Sequence, residues 1–240
     1  MAPAANTRSA ASRWKSRLRR PIWWLPDIPT EQEEAYRRIW QGLRQHHEVL
    51  DGRHDTAAWR SRAGRFALCL IRVPAGALSA HADELRAALG QFPFVRLHPD
   101  HFLHIPIQEL GFVVKEPAAR DELSQERLDE FVQHAREPIA GFPAYPVRLG
   151  GVNSFLDAPF LDVHDGGWCS RIHHRLRGVV AIPPDTRYPY LPHVTIGHYT
   201  RRQPMGNLPA ALTPWRDVRL GEFIATEVEV VTLAVDEPYP

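Results

Sequence analysis

Apolar residues recur along this chain at helical spacing in four segments, which alternate with shorter strand-like runs. Spacings of three and four residues place the members of each group on one face of a predicted helix. The four faces are Tyr36, Ile39, Trp40 and Leu43; Ala82, Leu85 and Leu89; Leu128, Phe131, Val132 and Ala135; and Ile172, Leu176, Val179 and Val180. A capping box at residues 30–33 predicts the start of the first helix, and Ser79 predicts the N-cap of the second.

The strand-like runs differ in how their apolar residues are arranged. Residues 66–73 form an almost continuous apolar run, which is typical of a buried strand. Residues 143–163 are predicted to form strands interrupted by Gly150-Gly151 and Pro159, and a long strand near residues 223–235 closes the chain. The order of strand, helix and alternating strand occurs twice, as a weak internal duplication would explain.

Two of the runs alternate between apolar and polar positions, and each carries one histidine. In residues 103–108 the odd-numbered positions are apolar, so period-two geometry leaves His104, Pro106 and Gln108 on the reverse face. In residues 191–196, His193 and Thr195 share one face, opposite two aliphatic side chains. One chain therefore holds two strand histidines, the parts that a metal-free phosphodiester catalyst needs.

These two segments resemble the motifs of the two-histidine (2H) phosphoesterase superfamily, which includes RNA 2′,3′-cyclic phosphodiesterases and 2′-5′ RNA ligase-like proteins. The family has two H-x-T/S-x motifs, each followed by an apolar residue. Residues 95–104 and 109–112 also look like the usual approach to and exit from the first motif. The second motif is complete, whereas Pro106 occupies the position of the hydroxyl residue in the first. The resemblance covers residues 63–240.

The resemblance implies an α+β, bilobed fold in which two antiparallel sheets face a central cleft and helices cover their outer sides. Each lobe would supply one motif strand, so that both histidines meet a single phosphate. The periodicity alone leaves a doubly wound parallel sheet open as an alternative. We expect an N-terminal extension over residues 1–62, made of a basic tail and an amphipathic helix, followed by a 2H phosphoesterase-like domain over residues 63–240.

Histidine suits this chemistry because its ordinary pKa, about 6.5, allows one ring to be neutral and another protonated near neutral pH. The family pattern favours His104 as the acid and His193 as the base for hydrolysis to a 2′-phosphate, although residue types alone leave the two roles interchangeable. Thr195 can donate a hydrogen bond to a phosphate oxygen, and Gln108 could substitute for the hydroxyl missing at Pro106.

Two aromatic residues near the motifs, Tyr199 and Phe112, are candidates for stacking on a base. Core packing is the commoner fate of such rings, and both interpretations stay open at this point.

The leading hypothesis is a metal-independent phosphodiesterase that acts on RNA ends or nucleotides carrying a cyclic phosphate, or on related 2′-5′ linkages. The resemblance implies that reverse ligation of such ends is accessible. The alternative is a catalytically impaired protein that binds RNA ends or nucleotides, and Pro106 is its best support because proline has neither hydroxyl nor N–H.

Composition adds limits to this interpretation. The chain has 44% hydrophobic and 24% charged residues, with 29 basic against 28 acidic, so a general polyanion-coating role is not implied. Cys69 and Cys169 form no C-x-x-C pair, which suits a reducing compartment, and we expect a cytoplasmic monomer without a membrane span. No H-E-x-x-H metal motif and no glycine-rich nucleotide loop occurs, so we expect neither a metal nor a cofactor.

The N-terminal segment is the chain's one basic patch. Its cations fall in a stretch without acidic residues: Arg8, Arg13, Lys15, Arg17, Arg19 and Arg20. With Trp14, Trp23 and Trp24 nearby, it could contact an RNA backbone and stack on bases. A disordered, solvated tail is the simpler prediction, and the composition also resembles an organellar transit peptide.

Overall fold

The structure is a computed structural model that describes residues 14–19, 30–53, 56–179, 189–237 and 239. Its helices are α1 (Thr30–Leu43), α2 (Ala57–Arg60), α3 (Ala80–Leu89), α4 (Gln125–His134), α5 (Arg136–Ile139), α6 (Trp168–Arg177) and α7 (Leu208–Leu212). Its strands are β1 (Trp14–Arg17), β2 (Glu48–Val49), β3 (Arg65–Arg72), β4 (Val95–Leu97), β5 (His104–Val113), β6 (Glu122–Leu123), β7 (Tyr145–Ser154), β8 (Pro159–His164), β9 (His193–Thr195), β10 (Gly197–Tyr199), β11 (Gln203–Pro204), β12 (Arg219–Ala225) and β13 (Glu227–Ala234).

Two larger sheets organise the fold. The five-stranded sheet has the order β1-β13-β3-β5-β6, and the four-stranded sheet has the order β12-β7-β8-β9. Two short ladders, β10-β4 and β11-β2, accompany them. Among the named strand pairs of the described residues, only β5 and β6 run parallel, over two residues each. The predicted α+β class is therefore confirmed, and the doubly wound parallel sheet is excluded.

The helices form where the apolar spacing predicts them. Helix α1 begins at Thr30, and α3 follows Ser79 and buries Ala82, Leu85 and Leu89. Helix α6 buries part of its predicted apolar face but ends at Arg177, so Val179 lies beyond it and Val180 lies outside the described residues. Residues of both sheets and of these helices share one continuous core. A separate small cluster lies on the other side of the five-stranded sheet and consists of Leu68, Leu70 and Val231.

The predicted single strand near residues 223–235 is wrong. Two strands occupy this region, because β12 pairs with β7 and β13 pairs with β3, so each belongs to a different sheet. The break lies at Thr226, whose carbonyl oxygen accepts a hydrogen bond from the Leu18 N–H at 2.8 Å. A continuous run of β-forming residues does not reveal that the chain changes partners within it.

Part of the basic N-terminal segment is a strand, so the prediction of a disordered tail is wrong for residues 14–17. Strand β1 pairs antiparallel with β13 at the edge of the five-stranded sheet. The Lys15 ammonium lies 2.5 Å from Glu227 and 3.4 Å from Glu229, and Arg17 lies 3.6 Å from Glu227. These cations therefore meet carboxylates in the fold. Arg8, Arg13, Arg20, Trp23 and Trp24 lie outside the described residues.

Strand β7 contains an irregularity at the glycine pair that the sequence marked. The register with β8 shifts between Leu149 and Val152, and Gly151 has φ +75°. A Cβ atom at Gly151 would lie 2.7 Å from the Arg216 carbonyl oxygen and 2.8 Å from the Asp162 Oδ2 atom. The missing side chain thus allows the Asp162 carboxylate to approach the bulged backbone.

Replacing Gly151 by alanine should lower the free energy of unfolding more than the same change at Gly76. Both glycines have a positive φ, +75° and +80°, but the Cβ position of Gly76 has nothing within 4 Å. The left-handed conformation costs about 1–3 kcal/mol in either variant, and overpacking adds about 1–3 kcal/mol only at Gly151. Urea denaturation of Gly151→Ala and Gly76→Ala measures the difference. Equal losses would contradict a close approach at Gly151.

Candidate functional site

The strands that carry the two histidine motifs lie next to each other. Strand β9 is the edge of the four-stranded sheet, and β5 pairs with β6 only at Phe112 and Val113 among the described residues. The first half of β5 is thus also an edge, and Cα atoms of β5 and β9 approach within 8 Å. The fold therefore brings the segments of His104 and His193 together, although they lie far apart along the chain.

Both histidine rings are held by the same local hydrogen bond. The Nδ1 atom of His104 lies 2.6 Å from the Phe102 carbonyl oxygen, and Nδ1 of His193 lies 2.9 Å from the Leu191 carbonyl oxygen. A carbonyl can only accept, so Nδ1 carries the hydrogen in each ring. The Nε2 atom is therefore the nitrogen that can gain or lose a proton. In both motifs the partner is the carbonyl two residues before the histidine.

The surroundings of His193 favour its neutral form. Its ring contacts Phe155 and Phe160 edge-on, with centroid separations of 5.2 and 5.5 Å. Burial lowers the pKa of His193 below its ordinary value, against the opposing effects of the Leu191 hydrogen bond and the Asp157 carboxylate. A neutral imidazole with a hydrogen on Nδ1 has a lone pair on Nε2, which is what a proton acceptor requires.

Thr195 shares the face of His193, as period-two geometry predicts. In the ladder between β8 and β9, His193 lies opposite Asp162 and Thr195 lies opposite Phe160. Both motif side chains are half-buried, and Val194 between them is fully buried on the other face. Within the described residues the Thr195 hydroxyl makes no hydrogen bond. It can therefore donate to a ligand without first breaking a contact in this part of the chain.

A buried carboxylate lies directly across the ladder from His193. Asp162 is 3% exposed, accepts a hydrogen bond from the Asn153 amide at 3.1 Å and lies 3.2 Å from the Arg216 guanidinium. Burial raises the pKa of Asp162 to about 7, while the Arg216 charge and the Asn153 hydrogen bond oppose this rise. The Asp162 carboxylate is therefore held by Asn153 and Arg216 next to the strand that carries motif two.

The surroundings of His104 contain more charge. In the ladder between β3 and β5, His104 lies opposite Arg72, and its ring contacts Phe102 at a centroid separation of 5.5 Å. The Arg72 guanidinium lies 3.1 Å from the Glu229 carboxylate, which Lys15 approaches from the other side. A line of alternating charges thus crosses the sheet from β1 to the first motif.

The first motif is irregular at Pro106, because proline within a strand is confined to edges, strand starts and bulges. The register between β3 and β5 shifts between Cys69 and Leu70, because Cys69 pairs with Gln108 while Leu70 pairs with Pro106. Two side chains cover the edge of β5 at this bulge. The Tyr190 hydroxyl donates to the Pro106 carbonyl oxygen at 3.1 Å, and His173 Nδ1 lies 2.7 Å from the Ile107 carbonyl oxygen.

The two covering rings are stacked on each other. The centroids of Tyr190 and His173 are 4.0 Å apart, with an interplanar angle of 5°. Burial lowers the pKa of His173, so its ring is neutral and donates through Nδ1. Tyr190 lies just before motif two and His173 lies on α6. Together they attach the first motif to the elements around the second.

The bulge also changes where Gln108 points. Residues opposite each other in a ladder project to the same face, so His104 and Pro106 share the face of Arg72 and Leu70, whereas Gln108 shares the face of Cys69. The expectation that Gln108 lies on the face of His104 is therefore wrong. Gln108 is 8% exposed, and its Oε1 atom is buried without a hydrogen-bond partner among the residues that the structure describes. The alternation was interrupted by one extra residue that the sequence pattern did not show.

The two aromatic candidates pack within the protein. Tyr199 is fully buried, its hydroxyl hydrogen-bonds the Ser154 hydroxyl at 2.6 Å, and its strand β10 pairs with β4 rather than continuing β9. Phe112 is 5% exposed and contacts Trp59 and Phe66. It lies eight residues along β5 from His104, about 26 Å for an extended strand. The structure thus places both rings in the core and brings neither to the two histidines as a stacking surface.

Several residues around the motifs were not singled out from the sequence. Tyr190 and Arg72 belong to this group, as do the side chains that flank or support His193: Phe155, Phe160, Asp162, Asn153 and Arg216. Only Tyr190 carried a local signal, because it lies three positions before His193. The others come from segments whose partners are set by sheet pairing.

Two further features of the described residues bear on the class of site. No group of three or more metal-ligating side chains occurs among residues 14–19, 30–53, 56–179, 189–237 and 239. Over the same part of the chain, no helix has the length and apolar character that a membrane span requires.

Several solved structures resemble this fold at low identity. The Thermus thermophilus protein TT0787 is 17% identical, with a TM-score of 0.49, and the match covers 71% of this chain and 98% of that one. E. coli LigT complexed with NADP+ is 16% identical, with a TM-score of 0.44 and coverage of 70% and 87%. Kluyveromyces marxianus Usb1 is 13% identical, with a TM-score of 0.42 and coverage of 72% and 96%.

A comparison with curated proteins gives no match. The family model described as the 2′-5′ RNA ligase superfamily matches residues 74–237, a segment that contains both histidine motifs. The resemblance to two-histidine phosphoesterases is therefore confirmed, and this membership supports phosphoesterase or RNA ligase-like function. Because the match spans more than half of the chain, this protein belongs to the 2′-5′ RNA ligase superfamily.

Proposed function

We propose that this protein is a metal-independent phosphodiesterase that hydrolyses 2′,3′-cyclic phosphates or related 2′-5′ linkages of RNA or nucleotides. The observation that carries the proposal is the matched pair of histidines on adjacent strands. His104 and His193 each bind a backbone carbonyl through Nδ1, which assigns proton transfer to Nε2 in both rings. Ligation of an RNA 5′-hydroxyl to the cyclic phosphate would use the same two nitrogens in the same roles, with that hydroxyl in the place of the attacking water.

The proposed mechanism assigns one proton transfer to each ring. His193 Nε2 takes a proton from the attacking water, and the water oxygen forms a bond to phosphorus. His104 Nε2–H gives its proton to the ribose oxygen as the bond between that oxygen and phosphorus breaks. The lowered pKa of His193 supports its role as the base, because its ring is neutral before the reaction begins. Hydrolysis of a 2′,3′-cyclic phosphate by loss of the 3′ oxygen leaves a 2′-phosphate.

Stabilisation of the phosphoryl oxygens is assigned to Thr195 and to the charge near His104. Thr195 lies two residues from the proposed base on the same face, within reach of a phosphate that both histidines contact. Arg72 lies opposite His104 and supplies a nearby guanidinium. At Pro106 the first motif offers no hydroxyl, and Gln108 points to the other face. We therefore propose that the phosphate is held mainly from the side of motif two.

Replacement of either histidine by alanine should reduce turnover by about 10²–10⁴-fold, because each variant lacks one proton-transfer group. The substrates are 2′,3′-cyclic nucleotides and an RNA with a cyclic-phosphate end, in the presence of EDTA, with 2′- and 3′-phosphate products separated. His134→Ala is the matched control, since His134 is exposed on α4. Wild-type protein that binds the RNA end but turns over no substrate would instead support the alternative, a catalytically impaired binding protein.

The pH profile should report the neutral His193. Because its folded pKa is lowered below the unfolded value of about 6.5, the acid limb of kcat/KM should have its midpoint below that value. The same shift contributes stability that is fully present above pH 6.5 and is lost as the pH falls through the folded pKa. NMR titration of the His193 ring measures its pKa. Urea unfolding of His193→Gln between about pH 4.5 and 7.5, a range that brackets the reference pKa, measures the effect on stability. A His193 that titrates above its ordinary pKa would contradict the base assignment.

Restoring a hydroxyl at position 106 should raise turnover. A hydrogen bond to a charged phosphate contributes about 1.5–3 kcal/mol, so Pro106→Thr should exceed Pro106→Val in kcat by roughly 10–100-fold. Valine is the matched control because it has the shape of threonine without the hydroxyl, and both changes remove the proline ring. Equal rates for the two variants would show that a hydroxyl at this position does not reach the phosphate.

A further inference from the structure

The ladder that carries His193 ends next to a proline. Strands β8 and β9 pair as far as Asp162 and His193, so the next pair would place Val163 opposite Pro192. Proline has no N–H, and the Val163 carbonyl oxygen therefore cannot receive the hydrogen bond that a β ladder would supply there. Val163 is fully buried, so its backbone groups need other partners.

Helix α1 supplies those partners from the N-terminal extension. The Tyr36 hydroxyl lies 2.6 Å from the Pro192 carbonyl oxygen and accepts a hydrogen bond from the Val163 N–H at 3.1 Å. The Gln32 amide nitrogen donates to the Val163 carbonyl oxygen at 2.7 Å. Tyr36 and Gln32 are 1% and 6% exposed, so these bonds are shielded from water. Two side chains thus occupy the place where the ladder would have continued.

The helix is fixed to the same sheet by a second contact. The Asn153 amide donates to the Tyr36 carbonyl oxygen at 3.0 Å and also to Asp162, the residue opposite His193. Burial and the Asp162 carboxylate raise the pKa of Tyr36, so its hydroxyl keeps its proton and remains a donor to Pro192.

We propose that Tyr36, with Gln32, is a positioning residue that sets the location of the His193 ring. The Pro192 carbonyl belongs to the peptide that joins Pro192 to His193, and the ring itself is tied to Leu191 one residue earlier. A shift of this peptide therefore moves the imidazole. The proposal rests on the proposed function for its catalytic consequence, and it adds a role for a helix that precedes the family match at residue 74.

The test compares two buried tyrosines. Tyr36→Phe removes the hydroxyl that holds Pro192 and keeps the ring. Tyr145→Phe is the matched control, because Tyr145 lies on the neighbouring strand β7 and is equally buried. Its hydroxyl lies 3.4 Å from the Cys169 Sγ atom. The readouts are the NMR signals and titration of His104 and His193, the unfolding midpoint, and kcat and KM on a cyclic-phosphate substrate.

We expect Tyr36→Phe to shift the His193 signal and its titration while His104 stays unchanged, and to lower kcat about tenfold at constant KM, as misplacement of a catalytic group does. Tyr145→Phe should change neither histidine. Equal effects of the two variants, or an unchanged His193 in Tyr36→Phe, would overturn the proposal and leave α1 a purely stabilising role.

Gln32→Leu provides a second route to the same peptide. It removes the donor to the Val163 carbonyl and should shift His193 in the same direction, so it carries the test if Tyr36→Phe does not fold. The NMR readout also separates the two proposals. A wild-type protein without turnover would defeat the proposed function, whereas the response of His193 to Tyr36→Phe would still decide the positioning role.

Discussion

Proline cannot donate a hydrogen bond to a β ladder, and each histidine motif of this protein contains or adjoins one. Pro106 lies two residues after His104, and Pro192 lies immediately before His193. At both places the strand is an edge or ends, so backbone groups beside the histidine need partners from outside the ladder. Tyrosine hydroxyls provide them in both cases: Tyr190 donates to the Pro106 carbonyl and Tyr36 to the Pro192 carbonyl.

These two tyrosines explain how the strands of the two motifs, which belong to separate sheets, are held in place. Tyr190 belongs to the segment that leads into motif two, yet its hydroxyl and the His173 ring stacked on it hold the bulged backbone of motif one. Tyr36 comes from α1 and holds motif two against β8. A hydroxyl makes a directional bond at a fixed distance, so each contact restrains both the spacing and the orientation of a strand. Apolar packing alone would restrain the spacing less sharply.

The sequence was most informative where the signal is local. The two histidines, Thr195 and the apolar faces of α3 and α4 follow from period and spacing, because side chains two residues apart in a strand, or four apart in a helix, share a face whatever the tertiary fold. Gln108 shows the limit, since a bulge of one residue reverses the faces of the positions that follow it, until the second register shift of β5 restores the alternation. The break at Thr226 and the partners of Tyr36 depend on which strands pair. The residue sequence alone does not predict those strand pairings, because they depend on contacts between distant segments of the chain.

Charge distinguishes the two histidines further. His193 lies against two phenylalanines, which suits the neutral ring of the proposed base. His104, the proposed proton donor, lies opposite Arg72, and an isolated guanidinium there would oppose the imidazolium form that this role requires. The buried Glu229 carboxylate pairs with Arg72 and so compensates its charge, while Lys15 approaches Glu229 from strand β1. The N-terminal strand thus takes part in balancing the charge around His104, just as α1 restrains the strand of His193.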